Sequence, residues 1–337
     1  MTIRSKCTAR PVGLVASMTL AVGVLGAVPA ELAFADDSPA SPTAAVVNGT
    51  LTIAGTRGAD AITIGVGADP TKFQVDFGGA AATQSFDRAG FTAISVSLGR
   101  GDDVFSVAPQ GQFNNVPLTV HGGKGDDTIR GSNGNDLLIG GSGDDNIDGG
   151  RGADTELLGS GNDTALWLPG EGSDVIDGGR GHDALNFIGN GANEKFALQA
   201  SGSHAILTRD LGGIVMDTDR VEALNLATLG GSDAVNVGDL SGTHLRSDNI
   251  DLSSAGAPDG QLDTVTVNGT SDGDHVTVDN DGSTLQVRGL HPQTNITGSD
   301  SRDQLQVNTG AGNDSVKVGD AAAALIAVSV DLGTDQL

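Results

Sequence analysis

Disulfide bonds cannot stabilise this chain, because Cys7 is its single cysteine. Large side chains to fill a thick core are also scarce: there is one tryptophan and no tyrosine, and aromatic residues make up 3% of the chain. A chain of 337 residues has room for two or three structural units, but with so few bulky apolar groups the expectation is a stack of thin layers. Positive charge is equally sparse, with 18 Lys plus Arg against 43 Asp plus Glu and a formal net charge of −25. Such a field repels nucleic acid and anionic membranes and attracts divalent cations. Familiar catalytic signatures are missing as well: there is no HExxH helix, no G-x-S-x-G elbow and no phosphate loop. His121, His182, His204, His244, His275 and His291 are scattered without metal-ligand spacing. The chain therefore reads as a non-enzyme.

One long apolar run exists, Val12 to Val28, preceded by Arg4, Lys6 and Arg10 and followed by the small residues Ala33 and Ala35. Residues 1–35 thus read as an export signal cleaved after Ala35, which places the mature chain outside the cell as a secreted, extracellular protein. The run is short and carries several Gly, Ser and Thr residues, so an uncleaved anchor is disfavoured and no membrane span is expected. Residues 36–45 form a Ser/Pro/Ala-rich linker.

What the chain has in abundance is glycine and aspartate, and between Gly122 and Asn186 they repeat in a nine-residue phrase. The copies are GGKGDDTIR, GSNGNDLLI, GGSGDDNID, GGRGADTEL and LGSGNDTAL; after an insertion of Trp167 and Leu168 come PGEGSDVID and GGRGHDALN. Glycine recurs at the second and fourth places, lapsing at Ser132. Aspartate holds the sixth place in every copy: Asp127, Asp136, Asp145, Asp154, Asp163, Asp174 and Asp183. The eighth place is apolar at Ile129, Leu138, Ile147, Ala165, Ile176 and Leu185, but is Glu156 in the fourth copy. A fixed short period marks a solenoid.

The first six residues of each phrase suit a turn and the last three a short strand whose eighth side chain points inward. Two phrases make one full turn of the chain, so phrases eighteen apart stack. Asp127, Asp145 and Asp163 then share one edge, and Asp136 and Asp154 the other. The insertion lengthens the next steps to twenty and predicts a bulge at Trp167. Stacked carboxylates disfavour joint ionisation, and a hard dication between them reverses that penalty. The turns offer carboxylate and carbonyl oxygens, which suits Ca2+ better than Mg2+ or Zn2+.

This run resembles the haemolysin-type calcium-binding repeats, the repeats-in-toxin nonapeptides. The resemblance covers residues 122–186 and implies a parallel β-roll binding several Ca2+ ions between neighbouring turns. Its ligands would be the sixth-place aspartates and loop carbonyls, Gly123, Gly125, Gly141, Gly143, Gly150 and Gly152 among them. Asp103 plays the sixth-place role in an isolated GRGDD turn and joins this metal-ligand set. The family often carries a zinc-protease domain and a C-terminal secretion signal; this chain has an N-terminal leader instead.

Outside the roll, residues 46–121 and 187–337 alternate like strands, with looser copies of the phrase ending at Asp233, Asp274 and Asp314. The expected fold is all-β: a β-roll over 122–186 flanked by β-rich, solenoid-like segments that cap its edges. Ala321 to Ala327 is the one helical candidate. The expected function is calcium binding, with folding coupled to the ion. An adhesin or matrix protein with a cell-surface or polysaccharide partner is the alternative. A calcium-dependent polysaccharide lyase is disfavoured, because Arg100, Arg151 and Arg180 lack a clustered base.

Overall fold

Short strands alternate between two sheets of 14 strands each, and the chain winds from one sheet to the other at every Gly-Asp turn. The computed structural model describes residues 39–79, 82–108 and 116–333. The export signal and the beginning of the linker lie outside the described residues.

In the repeat region one sheet takes Leu118–Lys124, Leu137–Ser142, Thr155–Gly161 and Val175–Gly181. The other takes Thr128–Arg130, Asn146–Asp148, Thr164–Trp167 and Ala184–Ile188. All of these strands pair in parallel. Register follows the phrase: Gly141 lies opposite Gly123 and Gly159, and across the insertion Gly159 lies opposite Gly179. The fold is the expected all-β parallel roll. Its core takes the eighth-place side chain of each phrase: Ile129, Leu138, Ile147, Ala165, Ile176 and Leu185 are buried between the sheets, and so is Glu156 in the fourth. A strand of three residues cannot persist alone, so each rung depends on its neighbours above and below.

The same two sheets continue on both sides of the repeats. Thr50–Ala54 pairs with Ala93–Arg100, which pairs with Leu118–Lys124. Beyond the repeats, Ala184–Ile188 leads through Ala223–Ala227 and Ser247–Asp251 to Gln293–Thr297, again in parallel register. The longer spacing here comes from inserted antiparallel strands. Lys195–Ser201, His204–Arg209 and Ile214–Asp219 form an antiparallel set of three adjacent strands in one sheet, and Thr284–Arg288 lies antiparallel between His275–Asp281 and Gln293–Thr297 in the other. A single helical turn, Asp320–Ala323, lies within the alanine-rich stretch.

Trp167 does not form the expected bulge. It ends its strand with its ring pointing inward, fully buried and stacked on Phe187 at 4.1 Å, while Phe187 meets Phe196 edge-on. The irregular backbone falls on Leu168–Gly172 instead, where the Trp167 indole N–H donates to the Gly172 carbonyl at 2.7 Å. Arg209 sits over the same indole, 5.3 Å from its centroid, and pairs with Glu194 inside the protein. The bulky rings occupy the roll where it gives way to the wider antiparallel insert.

Tight stacking makes particular glycines indispensable. Gly141 has φ of 121°, and a Cβ there would overlap the carbonyl of Gly123 one turn below. By contrast, a Cβ at Gly58 would touch nothing within 4 Å. In calcium, Gly141→Ala should lower stability by about 1–3 kcal/mol or more, whereas Gly58→Ala should be neutral or raise it by up to about 1 kcal/mol. Denaturant unfolding of the two variants checks this.

Candidate metal centres

The sixth-place aspartates are joined to one another through the backbone. The N–H of Asp103 donates to Asp127 Oδ1 at 2.9 Å, that of Asp127 to Asp145 Oδ1 at 2.9 Å, and that of Asp145 to Asp163 Oδ1 at 2.7 Å. The column continues from Asp163 to Asp183 at 2.8 Å, and starts with Asp60 donating to Asp103 at 2.7 Å. On the other edge the Asp136 N–H reaches Asp154 and the Asp154 N–H reaches Asp174, at 2.8 and 2.9 Å. The expected division of aspartates between two edges therefore holds. The carboxylates do not face each other directly, as simple stacking implies: each leans onto the amide of the neighbouring turn.

That contact uses one oxygen of each carboxylate. The second is buried without a hydrogen-bond partner at Asp103, Asp127, Asp145, Asp154, Asp163 and Asp183. Burial raises these acids, because a charged carboxylate is costly away from water. Asp103 and Asp145 are pushed up to about 7 and Asp127 and Asp183 to about 6, chiefly by desolvation, with the amide contact pulling down and neighbouring carboxylates pushing up. Asp154 reaches about 8 for the same first reason, and Asp136 and Asp174 about 6.

Backbone conformation at the second place separates most turns with this orphan oxygen from those without it; the Asp174 turn, with Gly170 at φ of 103°, is the exception. Where that residue takes positive φ, between 71° at Leu229 and 124° at Gly159, its N–H does not reach the sixth-place acid. At four turns where it does not, the N–H satisfies the acid's second oxygen; at Asp303 the Asp300 N–H does so instead. Thr56, Ser132, Asn190 and Thr270 donate in this way to Asp60, Asp136, Glu194 and Asp274, at 2.5 to 2.8 Å. Ser132 also bonds Asp136 through its hydroxyl at 3.0 Å. Asp136, though within the repeats, thus closes a self-satisfied turn. Conversely, Asp233 and Asp314, far outside them, each have a buried unpartnered Oδ2 beside a second-place residue of positive φ, Leu229 or Gly310. Sequence reasoning noticed these two turns but left them out of the ligand set. The signal was available at Gly310, whose turn keeps both glycines, and hidden at Leu229, where a leucine adopts a glycine-like conformation.

Carbonyl oxygens complete the donor set. Second-place carbonyls at Gly99, Gly123 and Gly141 lie where a Cβ on the next glycine in the column would collide, and fourth-place carbonyls at Gly101, Gly125 and Gly143 do the same. Each edge is therefore lined by carbonyl and carboxylate oxygens. Gly150 and Gly152 carry positive φ beside Ser132 and Gly134 on the second edge. No group of three or more His, Cys, Asp or Glu side chains among the described residues has geometry able to hold a metal alone. Such a set, rich in carbonyls and poor in nitrogen and sulfur, fits a hard oxygen-seeking cation.

The arrangement is a glycine-turn β-roll with cation-seeking edges. Residues 121–156 and 170–186 match a family model described as RTX calcium-binding nonapeptide repeat (4 copies). The chain thus carries repeats that bind Ca2+, and the rest of it lies outside the match. No curated protein matches the chain.

The raised carboxyls fix a sign for pH dependence. Their usual value is 3.8, and in the folded chain they hold protons more tightly. Their contribution is complete below about pH 4 and is lost as pH rises through about 6 to 7. In chelator, the unfolding temperature should fall between about pH 4 and pH 7. Saturating calcium should flatten or reverse that slope, and thermal melts across the range check it.

Proposed function

We propose that this is a secreted protein whose turns fold around extracellular Ca2+, with no catalytic role. The carrying observation is the set of buried, unpartnered Oδ2 atoms in turns whose second residue has positive φ. We assign calcium contacts to Asp103, Asp127, Asp145, Asp154, Asp163, Asp174 and Asp183, with carbonyls of the Gly123, Gly125, Gly141, Gly143, Gly150 and Gly152 loops beside them. Asp136 contributes mainly through the chain of amide contacts. Asp233 and Asp314 extend the set into the C-terminal segment.

Extracellular calcium modules work with Kd of about 10⁻⁴ to 10⁻³ M. A ligand at 100 times its Kd stabilises the bound state by about 2.7 kcal/mol per site. Several weak sites sharing turns therefore suffice to decide whether the roll forms. Circular dichroism of the mature chain should show β-structure growing cooperatively as calcium is added to a chelated sample. A chain already fully folded in excess chelator overturns the coupling. Asp145→Asn should lower the bound-ion count in calorimetric titration, whereas Asp136→Asn, whose second oxygen Ser132 already satisfies, should change it less.

A surface feature supports the second reading, an adhesin or matrix role with a polysaccharide partner. Asn186, Asn225, Asn249 and Asn295 form a row across four neighbouring strands, linked side chain to side chain at 2.7 to 2.8 Å. They line an open groove of about 600 Å³ with Thr284, Gln286 and Gln293. In a chain this acidic, a mostly neutral amide row suits a hydroxyl-rich neutral glycan, since each amide keeps donor and acceptor capacity beyond the row. Calcium-dependent retention on neutral polysaccharide, lost in an Asn225→Ala/Asn249→Ala double variant, is the expected outcome; equal retention argues against this groove.

A further inference from the structure

The fifth place of the phrase builds a second column outside the sixth-place one. On one edge it is acidic in three successive turns, Asp102, Asp126 and Asp144, followed by Asn162. The Asp126 N–H donates to Asp102 Oδ1 at 3.0 Å, the Asp144 N–H to Asp126 Oδ1 at 2.8 Å, and the Asn162 N–H to Asp144 Oδ1 at 2.7 Å. This outer column runs in the opposite sense to the inner one, where the N–H of each turn reaches the carboxylate of the turn after it. The inner carboxylates are buried and the outer ones exposed. The opposite edge has the same outer contact without the charge: the Ala153 N–H donates to Asn135 Oδ1 at 3.0 Å, and the next fifth place is Ser173. An amide side chain therefore makes this contact too, so the backbone does not require an acid there.

The outer acids stand close to the oxygens that line the turns. A Cβ on Gly125 would collide with the Gly101 carbonyl and lie 2.9 Å from Asp102 Oδ1; one on Gly143 would collide with the Gly125 carbonyl and lie 2.9 Å from Asp126 Oδ1. Their charge reaches the inner column. Behind burial, the larger cause, Asp102 and Asp126 push Asp127 up, Asp126 pushes Asp145 up, and Asp126 and Asp144 push Asp163 up. Arg100 and Lys124 bring positive charge to the first two turns, whereas Ser142 and Ser160 flank Asp144. Like charges on neighbouring rungs, about 4.8 Å apart, repel one another. No fifth- and sixth-place acids converge into a cluster able to hold a metal by themselves among the described residues, so the outer row acts through space and not by ligation.

We propose that Asp102, Asp126 and Asp144 form an electrostatic rail that draws divalent cations to this edge and tightens the turn sites closing on Asp103, Asp127 and Asp145 without touching the ion. The proposal rests on the calcium reading of those turns, whose buried, unpartnered Oδ2 atoms call for a cation. A dication gains twice as much as a monovalent ion from each fixed carboxylate, so the rail favours Ca2+ over the more abundant sodium. Binding in the inner column also offsets the repulsion within the outer one, which couples the two columns energetically.

Calorimetric calcium titration of the mature chain at several salt concentrations tests this. The double variant Asp126→Asn/Asp144→Asn keeps both amide acceptors, as Asn135 does. It should weaken calcium binding by about two- to fivefold per carboxylate at ~10 mM ionic strength, with the bound-ion count unchanged. At about 1 M salt the Debye length shrinks from about 30 Å to about 3 Å, and parent and variant should converge. Asn135→Asp places a carboxylate in the neutral row of the other edge and should tighten binding by a similar factor, with the same salt dependence. Equal affinity of parent and double variant at low salt overturns the proposal. So does a loss of affinity that persists undiminished at about 1 M salt, since the outer acids are then structural, and so does a lost ion, since they are then ligands. Failure of the calcium reading itself shows differently: Asp145→Asn then leaves the bound-ion count unchanged, and the rail has no sites to serve.

Discussion

The contact on which this architecture rests runs from a carboxylate on one turn to a backbone amide on the next. In the repeats the strands of one sheet are as short as three residues, Thr128–Arg130 and Asn146–Asp148. Their ladders cannot hold the edges, where the chain reverses and backbone amides would otherwise be buried unpaired. The sixth-place aspartate meets that need, and the column from Asp60 to Asp183 joins six successive turns on one edge. Satisfying an amide in this way costs something at the other oxygen. That atom is buried too, and a buried acceptor without a partner is expensive. Structural role and ion demand thus arise from one side chain.

The same device operates outside the repeats, with looser sequence. Glu194 accepts a backbone amide from Asn190 while its own N–H reaches Asp233, whose N–H reaches Asp263, whose N–H reaches Asp303. Glu222 takes the role at the end of the first column, receiving the Asp183 N–H at 2.8 Å. Residue identity at the sixth place is therefore less strict than the phrase indicates; what persists is a carboxylate at the mouth of the turn. The antiparallel inserts widen the layers without breaking the columns, because they add strands within a sheet and leave the edge turns in register.

Much of this was legible in the sequence. A period of nine with glycine at the second place fixed the register of Gly123 against Gly141, and the two-residue insertion correctly moved the next step to Gly179. Burial of the eighth-place residues followed from alternation alone. Two things were not legible. One was how the stacked carboxylates avoid each other, since sequence spacing does not say that a backbone amide intervenes. The other was the difference between turns, because conformation at the second place follows residue type only in part. Ser132 announces a self-satisfied turn, yet Leu229 adopts positive φ where no pattern predicts it. The bulge expected at Trp167 falls one residue on for a related reason: an indole stacked on Phe187 gains more from burial in its strand than from a bulge.

The two kinds of turn divide the work of assembly. A turn such as Gly55–Asp60 or Gly269–Asp274 closes its own carboxylate with a local amide, so it needs no ion to become a stable template. The turns closing on Asp127, Asp145 and Asp163 leave an oxygen open, and lie in the middle of the stack. In a quasi-one-dimensional array, stability is a sum of intrinsic rung terms and nearest-neighbour interfaces. Rungs that close themselves therefore lower the cost of ordering the ion-demanding rungs beside them, since one face of each interface is already in place. Asp136 puts such a turn within the repeats, on the edge opposite Asp127 and Asp145. An array of this composition does not have to organise every calcium turn from a disordered start. Under the proposed coupling, it would present partly formed edges to the ion, along columns that the backbone amides already define.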